Sequence, residues 1–442
     1  MINKYVDHLQ GLVRFPTVSC ADPTSEQYAP FDDLHKYLEK TYPNVHRVME
    51  KKIFGRAGLL FRWPGKDPSK PPMVLMAHQD VVPVGDEKAW AHPPFCGDVI
   101  DGYLWGRGSV DCKEIVMGGL EATEALISEG FTPECDVYLN YGSNEEISAP
   151  DKTAELVVAY FKENNIIPGL VIDEGIGMNE YHGEGFDGYL CNICLGEKAR
   201  AEIEIYAESE GGHAMEPGQG STLGVLAKAI VAIEENPMPY RLTELVKNQI
   251  IAMAVSAPKD NLYIYQDPEK YFDDLCKLAK ENKKIDSLLH TTLAVTMAQG
   301  SDQSNVLPRR ASAVMDCRIL EGDTIESVVE HIMSVVPDGI KVKYDAEVVF
   351  SDSSVVDSTA YRAVEKALKK VYGQVHMIPG LLGGGTDSRY FQTISNNVFR
   401  TGLYVEDDRW GKAHSIDEKI PCDCLERGVR SYYELIKCFA SQ

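Results

Sequence analysis

The chain has 442 residues, of which 44% are hydrophobic and 25% are charged, and its formal net charge at pH 7 is −23. This length is sufficient for two domains with hydrophobic cores of their own, and the composition is typical of a globular protein. The negative charge argues against nucleic acid and anionic membrane as partners, because both require a basic protein surface.

The N-terminal residues lack the apolar segment of a signal peptide, and no stretch approaches the roughly 20 apolar residues of a membrane span. Eleven cysteines in a chain of this size indicate reduced thiols rather than a disulfide framework. We therefore expect a cytoplasmic protein. The pairs Cys191/Cys194 and Cys422/Cys424 have spacings that zinc ligands also use, but burial as free thiols is the commoner role.

The predicted elements begin with amphipathic helices over residues 3–13 and 25–41 and a strand over 59–63. Residues 73–78 form an uncharged apolar run, which is typical of a buried parallel strand. The run ends in His78-Gln79-Asp80. Side chains two apart on a strand point to the same face, so we interpret His78 as a metal ligand and Asp80 as its supporting carboxylate.

Further acidic side chains and a second histidine lie in loops and at strand ends later in the chain. Asp111 lies between a glycine loop and a predicted helix over 112–129, Glu145-Glu146 and Asp173-Glu174 each follow an apolar strand, and His414 lies in a late loop. Ligands of an open α/β sheet collect at the carboxyl ends of its strands. Two histidines and several carboxylates suit a pair of divalent ions with one carboxylate bridging them.

The pattern of polar and apolar residues changes near residue 197. Residues 200–207 alternate between polar and apolar, as do 311–318 and 340–344, and helices are predicted over 222–235 and in the segment up to 289. This pattern predicts an α+β insert over 197–350 that interrupts an α/β domain formed by 1–196 and 351–442. A predicted helix over 358–372 returns the chain to that domain.

The ordered set of motifs resembles the M20 co-catalytic zinc metallopeptidases, which include carboxypeptidase S-like enzymes, aminoacylases and non-specific dipeptidases. The resemblance extends nearly from end to end, and the run at 383–389 looks most like the carboxypeptidase S branch. It implies a phosphorylase/hydrolase-like catalytic domain with an inserted lid domain that often dimerises. The motifs are His78-Gln79-Asp80, Trp90-Ala91-His92-Pro93-Pro94-Phe95, Gly106-Arg107-Gly108-Ser109-Val110-Asp111-Cys112-Lys113, Glu145-Glu146, Gly211-Gly212-His213-Ala214, Asn305-Val306-Leu307-Pro308 and His414.

The resemblance implies a site for two divalent ions, with zinc as the first choice and manganese or cobalt as alternatives. One ion would be held by His78 and Asp173 and the other by Glu146 and His414, with Asp111 bridging them. Glu174 is the alternative to Asp173, which we favour because it directly follows the apolar strand. The family pattern also implies a cis peptide bond after Asp111.

Glu145 is the predicted general base, because its neighbour Glu146 is occupied as a ligand. Asp80 would orient the ring of His78 as its supporting carboxylate. In relatives, the histidine that matches His213 reaches the oxyanion of the tetrahedral intermediate, often from the partner subunit of a homodimer.

Three residues are predicted to hold the substrate, together with the glycines at 383–385. They are Asn305, Arg318 and Thr386. The guanidinium of Arg318 suits a substrate carboxylate, although an interdomain ion pair is an alternative role for it.

These features predict a dinuclear zinc hydrolase that cleaves the amide bond beside a free carboxylate in small peptides, with carboxypeptidase or dipeptidase action. Hydrolysis of N-acyl amino acids is the alternative. A dinuclear phosphoesterase would need basic residues near the metals, for which Arg107, Lys113 and Arg389 are available. A non-catalytic binding protein is disfavoured, because Glu145 and a full ligand set are both present. The C-terminal motif departs from the family at Ser415, where many relatives have glycine.

Overall fold

The structure is a computed structural model, and it describes residues 3–22, 26–147, 149, 151–218, 220–345, 348–350 and 353–441. The strands, in chain order, are β1 Glu50–Phe54, β2 Gly58–Trp63, β3 Met73–His78, β4 Val99–Ile100, β5 Tyr103–Trp105, β6 Val137–Gly142, β7 Leu170–Asp173, β8 Met178–Gly183, β9 Phe186–Glu197, β10 Ala199–Glu208, β11 Gly212–His213, β12 Thr292–Gln299, β13 Val306–Leu307, β14 Arg310–Ile319, β15 Ile340–Tyr344, β16 Val375–Leu382, β17 Val398–Arg400 and β18 Lys419–Pro421.

The α-helices, in chain order, are α1 Lys4–Val13, α2 Ala29–Thr41, α3 Pro43–Val48, α4 Lys113–Ser128, α5 Thr153–Glu163, α6 Thr222–Glu235, α7 Glu244–Ala252, α8 Leu262–Gln266, α9 Phe272–Glu281, α10 Lys283–Leu289, α11 Ile325–Val335, α12 Thr359–Tyr372, α13 Ser388–Phe391 and α14 Leu425–Ala440. Short 3-10 helices occupy Glu26–Tyr28, Glu87–Ala89, Met253–Ser256, Lys259–Asn261 and Cys422–Cys424.

Two compact units are present. Unit 1 comprises Met1–Gly196, Ser353–Gly380 and Thr386–Gln442, and unit 2 comprises Glu197–Asp352 and Leu381–Gly385. The predicted domain boundaries, after residues 196 and 350, lie at or within two residues of these divisions. The short segment at 381–385, which holds the glycines predicted to approach the substrate, belongs to unit 2 although its neighbours on both sides belong to unit 1.

Unit 1 is built on a large mixed sheet, which has nine strands within the described residues. Its centre is the parallel set β6, β3, β7 and β17, and β1 and β2 continue it in antiparallel pairing. Every residue of β3 is buried, as the apolar run predicts. His78 pairs with Gly142, so β3 and β6 end at the same level and deliver the residues that follow them to one edge.

Helices cover both faces of this sheet because each has an apolar side that must leave water. α4 contacts β3 and β6, and it also packs against α1, α3 and α14, while α5 and α13 pack against each other. One core cluster joins Val74 and Tyr138 from the sheet with Phe161 of α5 and Phe391 of α13. Full burial of such side chains contributes roughly 1.5–3 kcal/mol each.

Unit 2 contains an antiparallel sheet in the order β12-β14-β10-β15, four strands within the part of the chain that is described. Along the first half of β10, buried and exposed residues alternate, so the prediction of a strand with one wet face is confirmed. The buried face packs against α6 and α11 in one core cluster, which includes Ile203, Leu226, Met315 and Ile332. The predicted helix over 222–235 corresponds to α6.

Other predicted elements differ from the structure only at their ends. The predicted helix over 25–41 includes residue 25, which lies outside the described residues, and the α-helix begins at Ala29. The predicted helix over 358–372 begins one residue later, because the side chain of Ser358 caps it by accepting a hydrogen bond from the amide of Tyr361 (3.1 Å). Among the described residues, no helix combines the length and the apolar character that crossing a bilayer would require.

Candidate metal centre

The first ligand group consists of His78, Asp111 and Glu174. Nε2 of His78 lies 3.0 Å from Oδ1 of Asp111 and 3.5 Å from Oε2 of Glu174. One potential ligand atom from each of the three residues, and the Sγ of Cys112 as well, lie within 4.8 Å of one another. These groups come from the end of β3, from the start of α4 and from the residue after β7.

The second ligand group consists of Asp111, Glu146 and His414. Nε2 of His414 lies 3.1 Å from Oδ2 of Asp111 and 3.0 Å from the carboxylate of Glu146. Asp111 therefore belongs to both groups, and it turns one oxygen to each histidine. This is the arrangement expected of a carboxylate that bridges two ions, as the sequence predicts for Asp111.

Local geometry places Asp111 between the two histidines. The loop before it contains Gly108 in the left-handed region (φ +84°), where an added Cβ would lie only 2.7 Å from Val81 Cγ1. The peptide bond between Asp111 and Cys112 is cis, as the family resemblance implies. The helix α4 begins directly afterwards, at Lys113.

The ring of His78 is held in the orientation that a metal ligand needs. Its Nδ1 lies 2.8 Å from the main-chain carbonyl oxygen of Asp80. A carbonyl oxygen only accepts hydrogen bonds, so Nδ1 carries a proton, and Nε2 is the ring nitrogen that faces Asp111 and Glu174 and could bind a metal. The side chain is buried, with 2% of its surface exposed.

Asp80 therefore supports the site in a different way from the one predicted. Its carboxylate Oδ1 lies 3.7 Å from Nδ1 of His78, which is too far for a hydrogen bond. The two carboxylate oxygens instead accept hydrogen bonds from the main-chain amides of Glu145 and Glu146, both at 3.1 Å. We correct the prediction accordingly: the carboxylate holds the turn that carries Glu145 and Glu146, and the main-chain carbonyl holds His78.

The structure does not bring Asp173 into either ligand group. Its Oδ2 accepts a hydrogen bond from the amide of Ser388 at the start of α13 (3.0 Å). Successive side chains of an extended strand point to opposite faces, so Glu174 turns towards His78 when Asp173 turns towards α13. The prediction that Asp173 is a ligand is therefore corrected in favour of Glu174, which the sequence offers as the alternative.

Glu145 lies beside the ligand groups in a setting that disfavours its charge. Burial, together with the carboxylates of Glu174 and Asp387, raises the pKa of Glu145 well above its usual range. The Nζ of Lys152 donates a hydrogen bond to the main-chain carbonyl of Glu145 (2.6 Å) and lies 3.6 Å from Oδ1 of Asp387. A carboxyl whose pKa is raised by its surroundings holds a proton more strongly, which suits a role in proton transfer.

The charges of the centre fit bound cations. Burial raises the pKa of Glu174 to about 8 and also raises that of Asp173. Conversely, the hydrogen bonds that the His414 ring donates to the carboxylates of Asp111 and Glu146 raise the pKa of His414 to about 10. Neighbouring buried carboxylates repel one another unless protons or cations lie between them, and two imidazoles with three carboxylates form a donor set that suits divalent ions.

The remaining predicted site residues, other than Thr386, lie in unit 2. His213 is exposed and pairs with Val306 between β11 and β13, and the adjacent amide of Ala214 donates to the carbonyl of Asn305 (3.0 Å). His213 and Asn305 are thus neighbours in the fold. The guanidinium Nε of Arg318 on β14 donates to Oδ1 of Asp316 (2.6 Å), and 31% of the Arg318 side chain is exposed.

Thr386, the remaining predicted substrate residue, lies in unit 1. The residue is buried, with 4% of its surface exposed, and its hydroxyl lies 2.6 Å from that of Ser388. The hydroxyl is therefore occupied within the fold rather than presented to solvent. The role of this side chain in holding the substrate stays a prediction.

Several residues around the centre were not assigned a role from the sequence. Lys152 and Asp387 flank Glu145, and Arg107 forms a buried ion pair with Glu418 (2.6 Å). Arg107 lies within the motif at 106–113, and Glu418 follows His414 by four residues. Their pairing joins segments 311 residues apart in the chain, which no local pattern reveals.

Comparison with known proteins adds independent findings. The model of the peptidase family M20/M25/M40 matches residues 74–437. Carboxypeptidase S of Saccharomyces cerevisiae is 28% identical over 489 residues, which cover 98% of this chain and 84% of that protein. The N-fatty-acyl-amino acid synthase/hydrolase PM20D1.1 of Danio rerio is 27% identical over 448 residues, which cover 98% and 85% of the two chains.

Solved structures share the fold. The M20 family metallo-carboxypeptidase Sso-CP2 from Sulfolobus solfataricus superimposes with a TM-score of 0.70 at 20% identity, covering 99% of this chain and 100% of that one. A dinuclear metal binding peptidase of the same family from Bacillus subtilis gives a TM-score of 0.59 at 12% identity, covering 98% and 96%.

Proposed function

Because this chain belongs to the peptidase family M20/M25/M40, we propose that it is a metallohydrolase with two divalent ions. It cleaves the amide bond next to a free carboxylate in small peptides, in the manner of a carboxypeptidase or dipeptidase. The proposal is carried by one observation. Two ligand groups share Asp111, and Glu145 stands directly before the ligand Glu146.

In this proposal the first ligand group, His78, Asp111 and Glu174, holds one ion, and the second, Asp111, Glu146 and His414, holds the other. Zinc is the proposed metal, since a mixture of imidazole and carboxylate ligands is typical of zinc hydrolases, and manganese or cobalt can occupy similar sites. Bound at these groups, the ions would supply Lewis-acid activation of the scissile carbonyl and of the attacking water.

Glu145 is the proposed general base. It accepts a proton at its carboxylate from the attacking water and returns that proton to the leaving nitrogen, so that one residue serves both halves of the reaction. Asp80 orients it by fixing the amides of Glu145 and Glu146. Burial limits competing hydration of the carboxylate and raises its pKa, which strengthens it as a proton acceptor.

Residues of unit 2 are proposed to contact the substrate. His213 would stabilise the oxyanion of the tetrahedral intermediate, and Asn305 and Arg318 would bind polar groups of the substrate. The support for His213 and Asn305 is their adjacency on the β11–β13 pair. The support for Arg318 is its planar guanidinium, which can bind a terminal carboxylate through two hydrogen bonds.

Hydrolysis of N-acyl amino acids is the second candidate. It is favoured by the relatives described as N-fatty-acyl-amino acid synthase/hydrolases, which align with nearly the whole chain. Both reactions break an amide bond beside an amino-acid carboxylate and require the same residues at the metal centre. They differ in the group that lies on the other side of the bond.

The experiment uses purified protein stripped with a chelator and then reloaded with zinc, manganese or cobalt. Three panels are offered: free dipeptides, N-blocked peptides and N-acyl amino acids. The matched control for each is the same compound with its carboxylate converted to an amide. We expect metal-dependent release of the C-terminal amino acid, and no release from the amidated compounds. Two bound metals with no hydrolysis of any panel would refute the proposal.

A dinuclear phosphoesterase is not supported by the positions of the basic residues. Arg107 is buried against Glu418, and the Nζ of Lys113 donates to the main-chain carbonyls of Leu12 and Phe15 at 3.1 and 2.7 Å. These two cations are used inside the fold, so they are not available to grip a phosphate. Of the three basic residues available for this role, these contacts exclude Arg107 and Lys113 but do not exclude Arg389.

We also propose a cytoplasmic location and a homodimer formed through unit 2. All eleven cysteines are free thiols, which is typical of a reducing compartment. β12 is an edge strand, and Met297 on it and Leu223 and Val231 on α6 are exposed. Light scattering on the purified chain tests the dimer, and a monomer at micromolar concentration would contradict it.

A further inference from the structure

A buried carboxylate connects the two loops that supply Asp111 and His414. Glu418 has no exposed surface, and its Oε1 accepts hydrogen bonds from the amides of Gly108 and Val110, both at 2.9 Å. Its Oε2 accepts a hydrogen bond from Nη1 of Arg107 (2.6 Å). The carboxylate therefore holds three positions, 107, 108 and 110, of the segment that leads into Asp111.

Arg107, which lies in the loop before Asp111, makes the reciprocal contact with the loop that carries His414. Its Nη2 donates to the main-chain carbonyl of His414 (3.4 Å), and its amide donates to the carbonyl of Pro94 (2.7 Å). The guanidinium carbon lies 5.2 Å from the ring centroid of Trp90, which adds a cation–π contact. The motif over residues 90–95, which has no role in catalysis so far, thus supports Arg107.

A main-chain contact reinforces this pairing, because the amide of Gly106 donates to the carbonyl of Glu418 (2.9 Å). We refer to Arg107 and Glu418 together as the loop clamp. The clamp holds the backbone on both sides of the second ligand group, since one loop ends at Asp111 and the other begins at His414.

His414 depends on such support more than His78 does. The His414 side chain is 54% exposed, whereas that of His78 is 2% exposed. The backbone of His414 is in the left-handed region (φ +62°), which side chains other than glycine rarely adopt. Packing fixes a buried ring, but an exposed ring on a strained loop is positioned by its backbone contacts.

We propose that Arg107 and Glu418 are positioning residues that set the metal affinity of the second ligand group, His414, Glu146 and Asp111. This inference rests on the proposed dinuclear function. The first ligand group shares Asp111 but should respond less, because its other two members do not depend on the clamp. His78 is held by burial and by the carbonyl of Asp80, and Glu174 follows a different strand. The clamp should therefore act mainly on the second ion, whose group contains both Asp111 and His414.

The test measures binding of zinc alone to the chelator-stripped full chain, by calorimetric titration and by metal content after dialysis. The variants are Glu418→Gln, Glu418→Ala and Arg107→Lys, which weaken the clamp in different ways. Glu434→Gln is the matched control, since Glu434 is also buried and paired with Arg430 and Lys370, but on α14. A thermal melt of each stripped protein confirms that it is folded at the titration temperature.

We expect the wild type and Glu434→Gln to bind two zinc ions. In the clamp variants one ion should remain tight, while the affinity for the other falls roughly 10- to 100-fold, the usual effect of removing support behind a metal ligand. Unchanged affinity for both ions in folded variants would overturn the clamp and leave the proposed function intact. Equal weakening of both ions would also overturn it, because the clamp would then act on the fold and not on one site.

A wild-type chain that binds fewer than two ions would refute the dinuclear function itself. This result is distinct from the two variant results that would overturn the clamp alone. If Glu418→Ala does not fold, Glu418→Gln and Arg107→Lys decide the question. Glu418→Gln retains an oxygen that can accept from Gly108 and Val110, and Arg107→Lys retains the charge but lacks the second amino group that reaches His414.

Discussion

The main-chain carbonyl of Asp80 lies 2.8 Å from Nδ1 of His78, whereas the carboxylate of the same residue turns away to the amides of Glu145 and Glu146. One residue therefore supports the proposed metal ligand His78 with its backbone and the proposed general base Glu145 with its side chain. The two functions are separable by mutation, because a side-chain substitution leaves the carbonyl in place.

Asp80→Asn is expected to reduce kcat by about 10- to 100-fold while zinc binding at the first ligand group is retained. The new amide can accept one hydrogen bond but must present its NH2 group to a second donor, so the turn that carries Glu145 shifts, and small displacements of catalytic groups are costly. Steady-state kinetics and a zinc titration measure the two effects.

Asp136→Asn is the control for this variant, because the carboxylate of Asp136 also accepts a main-chain amide, that of Gly65 (2.8 Å), but outside the ligand groups. It should leave kcat unchanged. Loss of the first zinc ion in Asp80→Asn would show that the carboxylate holds His78 after all.

Glu145→Gln is expected to lower kcat by about 10² to 10⁴-fold, because an amide cannot accept the proton of the attacking water. Both zinc ions should still bind, since Glu145 belongs to neither ligand group. Its neighbour provides the comparison: Glu146→Gln should lose affinity for the second ion as well as activity. Near-normal turnover by Glu145→Gln would remove it from the proposed role.

Glu174→Gln and Asp173→Asn distinguish the two acids that follow the same strand. We expect Glu174→Gln to weaken the ion at the first ligand group, because Glu174 lies 3.5 Å from Nε2 of His78. Asp173→Asn should retain two ions, since its oxygen can still accept from the amide of Ser388. Zinc titration of both proteins is the measurement, and the reverse pattern would restore Asp173 as the ligand.

Stability should depend on pH through Lys198 in unit 2. Burial lowers the pKa of Lys198 to about 8 from its ordinary value of 10.5. Between these two pH values the unfolded chain holds more protons than the folded one, so the free energy of unfolding should rise with pH. Below about pH 8 the residue is protonated in both states and its contribution is constant.

Urea denaturation at pH 8 and pH 10 of the wild type and Lys198→Met measures this contribution. Relative to the variant, the wild type should gain on the order of 1–2 kcal/mol between the two pH values. Lys228→Met replaces an exposed lysine of α6 and serves as the control. Parallel pH profiles for the wild type and Lys198→Met would contradict the prediction.

Much of the centre could be predicted because its ligands lie in short motifs at strand and loop ends. The apolar run before His78 predicts a buried parallel strand, and the structure places Asp111, Glu146 and His414 together. The division near residue 197 could be predicted too, since the insert has the alternating pattern of a sheet with one wet face.

The features of the centre that could not be predicted have a common physical origin. The choice between Asp173 and Glu174 depends on the face of the sheet to which each side chain points, and neighbouring residues of a strand point to opposite faces. The hydroxyl of Thr386 and the carboxylate of Asp80 are satisfied by nearby partners that composition does not reveal. Hydrogen-bond partners of this kind are set by tertiary packing.

The order of the strands has a consequence for biosynthesis. β17 lies between β7 and β9 in the sheet, although it follows them in the chain by about 200 residues. A nascent chain emerges N-terminus first at about 5–20 residues per second. The edge of β7 therefore stays without this partner until the whole insert has been translated, and His414 leaves the ribosome later still. His414 is one of the three side chains of the second ligand group, so this group can form only after the segment that carries His414 has left the ribosome.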